Sequence, residues 1–206
     1  MDLKWNRHRD TLSLLELLFL ALFFFLGVVL GQVMAARMPA SAGDELERYL
    51  HHFVMLEETV SLRAVLSALV LYFRYPLLAF LLGFASVGLV LLPCTAVAFG
   101  FFLSFSVSCF AAAFGKGGIL IALAVSGIRC AVTLPCFFAL AVPSWKTSAA
   151  LAHFASGKGR RTAPAIYGRA CWLRLAACAA ILLAGMCLDL FVAPWFLDFV
   201  LGRVLA

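Results

Sequence analysis

The sequence predicts an all-α polytopic membrane protein, five transmembrane helices with amphipathic helices on the outer face. Composition is the first reason. Of the 206 residues 65% are hydrophobic and 13% charged, with a mean hydropathy of +1.07, whereas about a quarter of the residues in soluble domains are charged. The distribution of charge is the second: across 77–142 only Lys116 and Arg129 carry a formal charge. Length is the third. The 41 uncharged residues between Arg74 and Lys116 would run roughly 60 Å as helix at ~1.5 Å per residue, about twice a ~30 Å hydrocarbon core. They are expected to cross twice. The whole chain, 1–206, reads as one integral membrane domain, with no stretch left for a separate soluble catalytic domain.

Residues 1–10 are polar, with Lys4, Arg7, His8 and Arg9, and read as a cytoplasmic tail. The first span is 12–33, too long for the ~7–15-residue apolar region of a signal peptide and therefore expected to stay uncleaved. An outer amphipathic segment, 41–73, follows. It holds the acidic residues Asp44, Glu45, Glu47, Glu57 and Glu58, with Leu46, Tyr49, Leu50, Phe53 and Val54 at helical spacing. Ser61 begins a second short helix whose ten residues between Arg63 and Arg74 are too few to cross.

The second span is 74–92, closed by a turn at Pro93, which lacks an N–H donor and biases Leu92 away from helical angles. The third, 95–114, carries Gly100, Ser104, Ser106 and Ser108, small groups that let helices approach. Gly115, Lys116 and Gly117 form the next turn. The fourth span, 119–142, has Arg129 near its middle and Pro135 beyond it, and Pro143 ends or bends it. The loop 145–169 holds five basic and no acidic residues. The fifth span is 170–190, and past Pro194 a tail helix, 194–206, exposes Asp198 and Arg203 beside the interfacial anchors Trp195 and Phe196.

Orientation follows from the basic residues. With the N-terminus in the cytoplasm and the C-terminus outside, nine Lys and Arg fall inside (4, 7, 9, 146, 158, 160, 161, 169, 174), six outside (37, 48, 63, 74, 116, 203), and Arg129 lies within the membrane. This asymmetry accounts for the net charge of +6 without nucleic acid, for which no basic stripe with interleaved aromatics is present. Lipid is the expected partner, and the sequence leaves self-association open.

Arg129 is the residue that most demands explanation, because a guanidinium inside a bilayer costs several kcal/mol unless paired or hydrated. Glu16, one turn into the first span, and Ser104, Ser106 and Ser126 are the candidate partners; Asp189 is expected nearer the outer face. One reading makes Arg129 a clamp between helices. The other makes it the polar centre of a small transporter or channel component. His51 and His52 diverge by about 100 degrees on a helix and do not form a shared metal site with Glu57 and Glu58. The seven cysteines show no C-x-x-C spacing and read as small core residues. The glycines around Lys116 lack P-loop spacing, and no nucleophile has a base at recognisable spacing. Neither an enzyme nor a cofactor or metal is expected.

The layout resembles the stage II sporulation protein M family, small five-span proteins of endospore-forming bacteria, over nearly the whole chain. The similar stretches are the run from Leu22 to Gly31, Gly115-Lys116-Gly117 between the third and fourth spans, Pro135 in the fourth, and Asp189 followed five residues later by Pro194. The chain departs from the family at Gly100, which follows Phe99 where a lysine is common, and at Gly127-Ile128-Arg129, where a proline and polar amides are expected. The resemblance implies a non-enzymatic scaffold for forespore engulfment, on the mother-cell side of the sporulation septum. There it would recruit a peptidoglycan amidase/endopeptidase and a lytic transglycosylase. Docking is then expected on the wall side, at Asp44, Glu45, Glu47, Glu57, Glu58, Trp195 and Asp198.

Overall fold

A computed structural model describes residues 2–37, 62–114, 118–155 and 168–204. Within these the side chains of 2–13, 62–64, 113–114, 118–121, 124–126, 170 and 191–204 lie outside the description. The elements are α1 (Asp2–Ala36), α2 (Leu62–Leu82), α3 (Gly88–Phe114), α4 (Gly118–Ala155) and α5 (Arg169–Val204). No strand occurs among the described residues. Each helix contains a stretch long and apolar enough to cross a membrane. Leu14, Leu15, Leu18, Leu22 and Phe25 are exposed along α1, and the exposed faces of the other helices are also largely aliphatic. This is the inverse of a soluble surface and marks the bundle as membrane-embedded.

Small residues decide the closest approach. Gly27 and Gly31, one turn apart on α1, face the α3 backbone at Val97 and Phe101, and Gly100 of α3 faces the carbonyl of Phe24. A Cβ at Gly31 would lie 2.6 Å from the Phe101 oxygen, and one at Gly27 or Gly100 would overlap backbone outright. In lipid, where apolar surface gains little by burial, such backbone proximity is how helices adhere. Around this contact Phe24 meets Phe99 edge-on at 5.7 Å, Phe99 meets Phe137 at 5.3 Å, and Tyr75 stacks on Phe99 at 4.6 Å, joining α1, α2, α3 and α4. A second cluster, with Tyr72, Phe80, Leu140, Leu182 and Met186, joins α2, α4 and α5. Because α4 supplies Phe137 to one cluster and Leu140 to the other, it is the spine of the fold.

The helix ends depart from the sequence expectation in three places. First, 62–73 is no surface helix: it is the first half of α2, which crosses at 65–82 with Arg74 at its centre. The expected span 74–92 is broken at 83–87, not at Pro93. The reason is tertiary. The last α2 carbonyls, of Phe80, Leu81 and Leu82, accept from the N–H groups of Gly83, Phe84 and Ala85, and α4 holds this turn with hydroxyl donors: Thr147 to Gly83 O at 3.0 Å and Ser148 to Ala85 O at 2.7 Å. Gly83 in turn admits Ser144 against its backbone. Pro93 then falls inside α3, close enough to its start that only the Leu89 carbonyl loses an intrahelical donor.

Second, α4 runs through Pro135 and Pro143 to Ala155, so the first part of the expected loop 145–169 is helix. The Thr147 hydroxyl also lies 3.2 Å from Pro143 O, the i−4 back-bond of a helical threonine. Third, α5 continues through Pro194 to Val204, and the tail 194–206 is the end of that helix rather than a separate one.

Candidate functional site

The bundle holds two ion pairs among its described residues, at different depths. Lys146 of α4 lies 3.2 Å from Glu16 of α1, both partly exposed, at the end of the bundle that carries the 83–87 turn. Trp145 packs beside them on Phe19 at 5.3 Å. Glu16 is therefore not the partner of Arg129.

That partner is Asp189. Arg129 Nη2 on α4 lies 3.4 Å from Asp189 Oδ2 on α5, and the aspartate side chain is only 8% exposed against 28% for the arginine. Tyr72 of α2 completes the group. The Arg129 guanidinium sits 5.7 Å from its ring centre, and its hydroxyl donates to Gly185 O at 3.3 Å, one turn before Asp189. The Thr133 hydroxyl donates to the Arg129 carbonyl at 2.8 Å. Thus α2, α4 and α5 are tied at one level by a charge pair, a ring and a hydroxyl. Counting along α4 from Ser144, which packs on Gly83, places Arg129 roughly 22 Å from the turn end, in the far half of a ~30 Å core.

The span ends read from sequence, 142 and 190, put Asp189 at one face and Arg129 near mid-span; the continuation of α5 to Val204 changes the count. Arg129 is about three turns after the start of α4, and Asp189 about four before the end of α5. Since consecutive spans run antiparallel, the two counts bring both residues to similar depth.

Among the other sequence candidates, Gly100 packs on α1, Pro93 is buried near the start of α3, and Pro135 is exposed on α4. Asp44, Glu45, Glu47, Glu57, Glu58, Gly115, Lys116 and Gly117 lie outside the described residues. Pro194, Trp195 and Asp198 lie on the last part of α5, where only the backbone is described. Of the cysteines, Cys109, Cys136 and Cys178 are buried as expected, whereas Cys94 and Cys187 are exposed on the apolar surface, and all seven are free thiols. No cluster of three or more His, Cys, Asp or Glu with metal-holding geometry occurs among the described residues.

Arg74 was not expected in the membrane. It lies halfway along α2, exposed, its guanidinium 4.4 Å over the Tyr75 ring and 5.7 Å from that of Phe102, with Nη2 donating to the Tyr75 hydroxyl at 2.6 Å. A cavity of about 210 Å³ opens at the turn end between α2, α4 and α5. It is lined by Phe80, Leu140, Pro143, Thr147 and Cys171, with Arg174 at the same end. The Arg129 group lies on the order of 20 Å away along α4, so the buried charge pair and the cavity are separate features.

No protein-family model matches the chain, and no curated protein or solved structure shows significant similarity to it.

Proposed function

We propose that this protein is a non-enzymatic membrane scaffold of the stage II sporulation protein M type. In that role it anchors the engulfment machinery at the sporulation septum by recruiting a peptidoglycan amidase/endopeptidase and a lytic transglycosylase. The observation that carries the scaffold reading is the pairing of Arg129 with Asp189 inside the bundle. The buried charge that most suggested a transport pathway is spent on fastening α4 to α5, beside a ring from α2. Backbone-to-backbone glycine contacts between α1 and α3 and α4 hydroxyls bonded to the 83–87 turn add to a bundle built to hold position. The sporulation role rests on the family resemblance.

In this proposal the N-terminus is cytoplasmic, so that five crossings assign 38–61, 115–117 and the end of α5 to the wall side, and 83–87 and 156–167 to the cytoplasm. The basic residues agree: nine inside, counting Lys146 and Arg174 at the cytoplasmic ends of their crossing stretches, five outside (37, 48, 63, 116, 203), with Arg74 and Arg129 deeper in the membrane. The acidic group Asp44, Glu45, Glu47, Glu57 and Glu58, with Trp195 and Asp198, is then the wall-side docking surface.

Charge reversal of the five acidic residues should abolish co-purification of both wall enzymes while membrane insertion is retained. Unchanged co-purification removes that surface from the proposal. The transporter reading keeps one point in its favour: Arg129 Nε and Asp189 Oδ1 are buried without hydrogen-bond partners among the described residues. It requires solute flux in reconstituted vesicles that Arg129→Leu eliminates.

A further inference from the structure

Arg129 and Lys146 have carboxylates; Arg74 has none among the described residues. Its place makes that costly. Arg74 lies nine residues before Gly83, so roughly 14 Å from the turn end along α2 and close to the midplane of a ~30 Å core. Headgroup phosphates at either surface are therefore farther away than its own stem extends. The Tyr75 hydroxyl and the two rings satisfy part of the guanidinium and leave it exposed.

The surroundings are those of a helix-docking stripe. Val70, Leu71, Leu77, Leu78 and Leu81, at spacings of three, four and seven from Arg74, are all exposed apolar residues on the same face of α2. One cation stands at the centre of that face, beside exposed Phe102 of α3.

We infer that this face of α2 receives a transmembrane helix of another protein that carries an aspartate or glutamate near mid-bilayer, which pairs with Arg74. Charge complementarity selects this occupant. A second copy of the chain does not supply it: of its ten acidic residues only Glu16 and Asp189 fall within the membrane-crossing stretches, Glu16 near the turn end and Asp189 buried against Arg129. The contact lies within the bilayer and does not depend on which proteins the wall-side segments bind.

Two measurements on the full chain test this. The first is thermal stability in lipid nanodiscs. Arg74→Leu should match or exceed the wild-type Tm, because it removes an exposed charge from lipid without opening a core contact; a lower Tm would make Arg74 an internal clamp and overturn the inference. The second is energy transfer in vesicles between the protein and a synthetic Leu/Ala-rich transmembrane peptide with a single central Asp, against the same peptide with Leu. The Asp peptide should associate roughly tenfold more tightly, the scale of one strong interhelical polar contact. That preference should vanish in Arg74→Leu and survive in Arg74→Lys. Equal association of the two peptides, a preference that persists in Arg74→Leu, or Arg74-dependent self-association in place of peptide binding would each overturn it.

Discussion

Replacing Arg129 by leucine isolates the contribution of the buried pair. At 3.4 Å and an effective dielectric of 20, two unit charges attract by about 5 kcal/mol. Most of that offsets the desolvation of bringing both into the bundle, so the intact pair adds little net stability. Breaking it is different. Arg129→Leu leaves the Asp189 carboxylate 8% exposed, with one oxygen already lacking a hydrogen-bond donor, and should cost about 3 kcal/mol or more. Asp189→Leu strands a guanidinium that still has the Tyr72 ring at 5.7 Å and should also destabilise.

The double variant Arg129→Leu/Asp189→Leu restores apolar packing between α4 and α5 and should return to within about 1 kcal/mol of wild type, a strongly non-additive cycle. Reversible unfolding in bicelles, read by tryptophan fluorescence, measures all four proteins. If Arg129→Leu lies within about 1 kcal/mol of wild type, or if the double variant is no more stable than either single one, Arg129–Asp189 is not the contact that satisfies the intramembrane arginine.

Gly100→Leu should separate α1 from α3, since its side chain would occupy the Phe24 backbone. The expected loss, more than about 3 kcal/mol or failure to fold, follows the cost of overpacking at a close backbone contact and is visible as loss of a monodisperse peak in detergent. Ser148→Ala removes a hydroxyl bond to the Ala85 carbonyl, which keeps the Gly88 N–H, and should cost about 0.5–1.5 kcal/mol, with faster hydrogen exchange at 83–87. Glu16→Gln should cost less than about 1 kcal/mol, because its pair with Lys146 is partly exposed. The same unfolding assay separates it from the Arg129 variants. Reporter fusions after residues 160 and 204 should report cytoplasmic and external locations respectively, and an internal C-terminus would overturn the proposed orientation.

The legible part of the site was its need, not its geometry. Arg129 stood out because charge within an apolar run is visible in one dimension, and Asp189 was visible as an acidic residue at the end of another. Their meeting depends on the rotation and depth of two helices separated by 60 residues. Arg74 was misplaced for a related reason. With Pro93 taken as the break, Arg74 became the edge of a span; with the chain turning at Gly83 it became the centre of one. Proline reads strongly in sequence, but Ser148 and Thr147 holding a turn more than sixty residues away does not.

Hydropathy alone determined that this is a five-span, all-helical membrane protein, because the cost of placing each residue in lipid accumulates along the chain regardless of what it touches. Tertiary structure decided where the helices end, which arginine is paired and which faces lipid. Those outcomes rest on backbones brought together at glycines and on hydroxyls and carboxylates delivered from distant helices, and such contacts have no counterpart in local sequence.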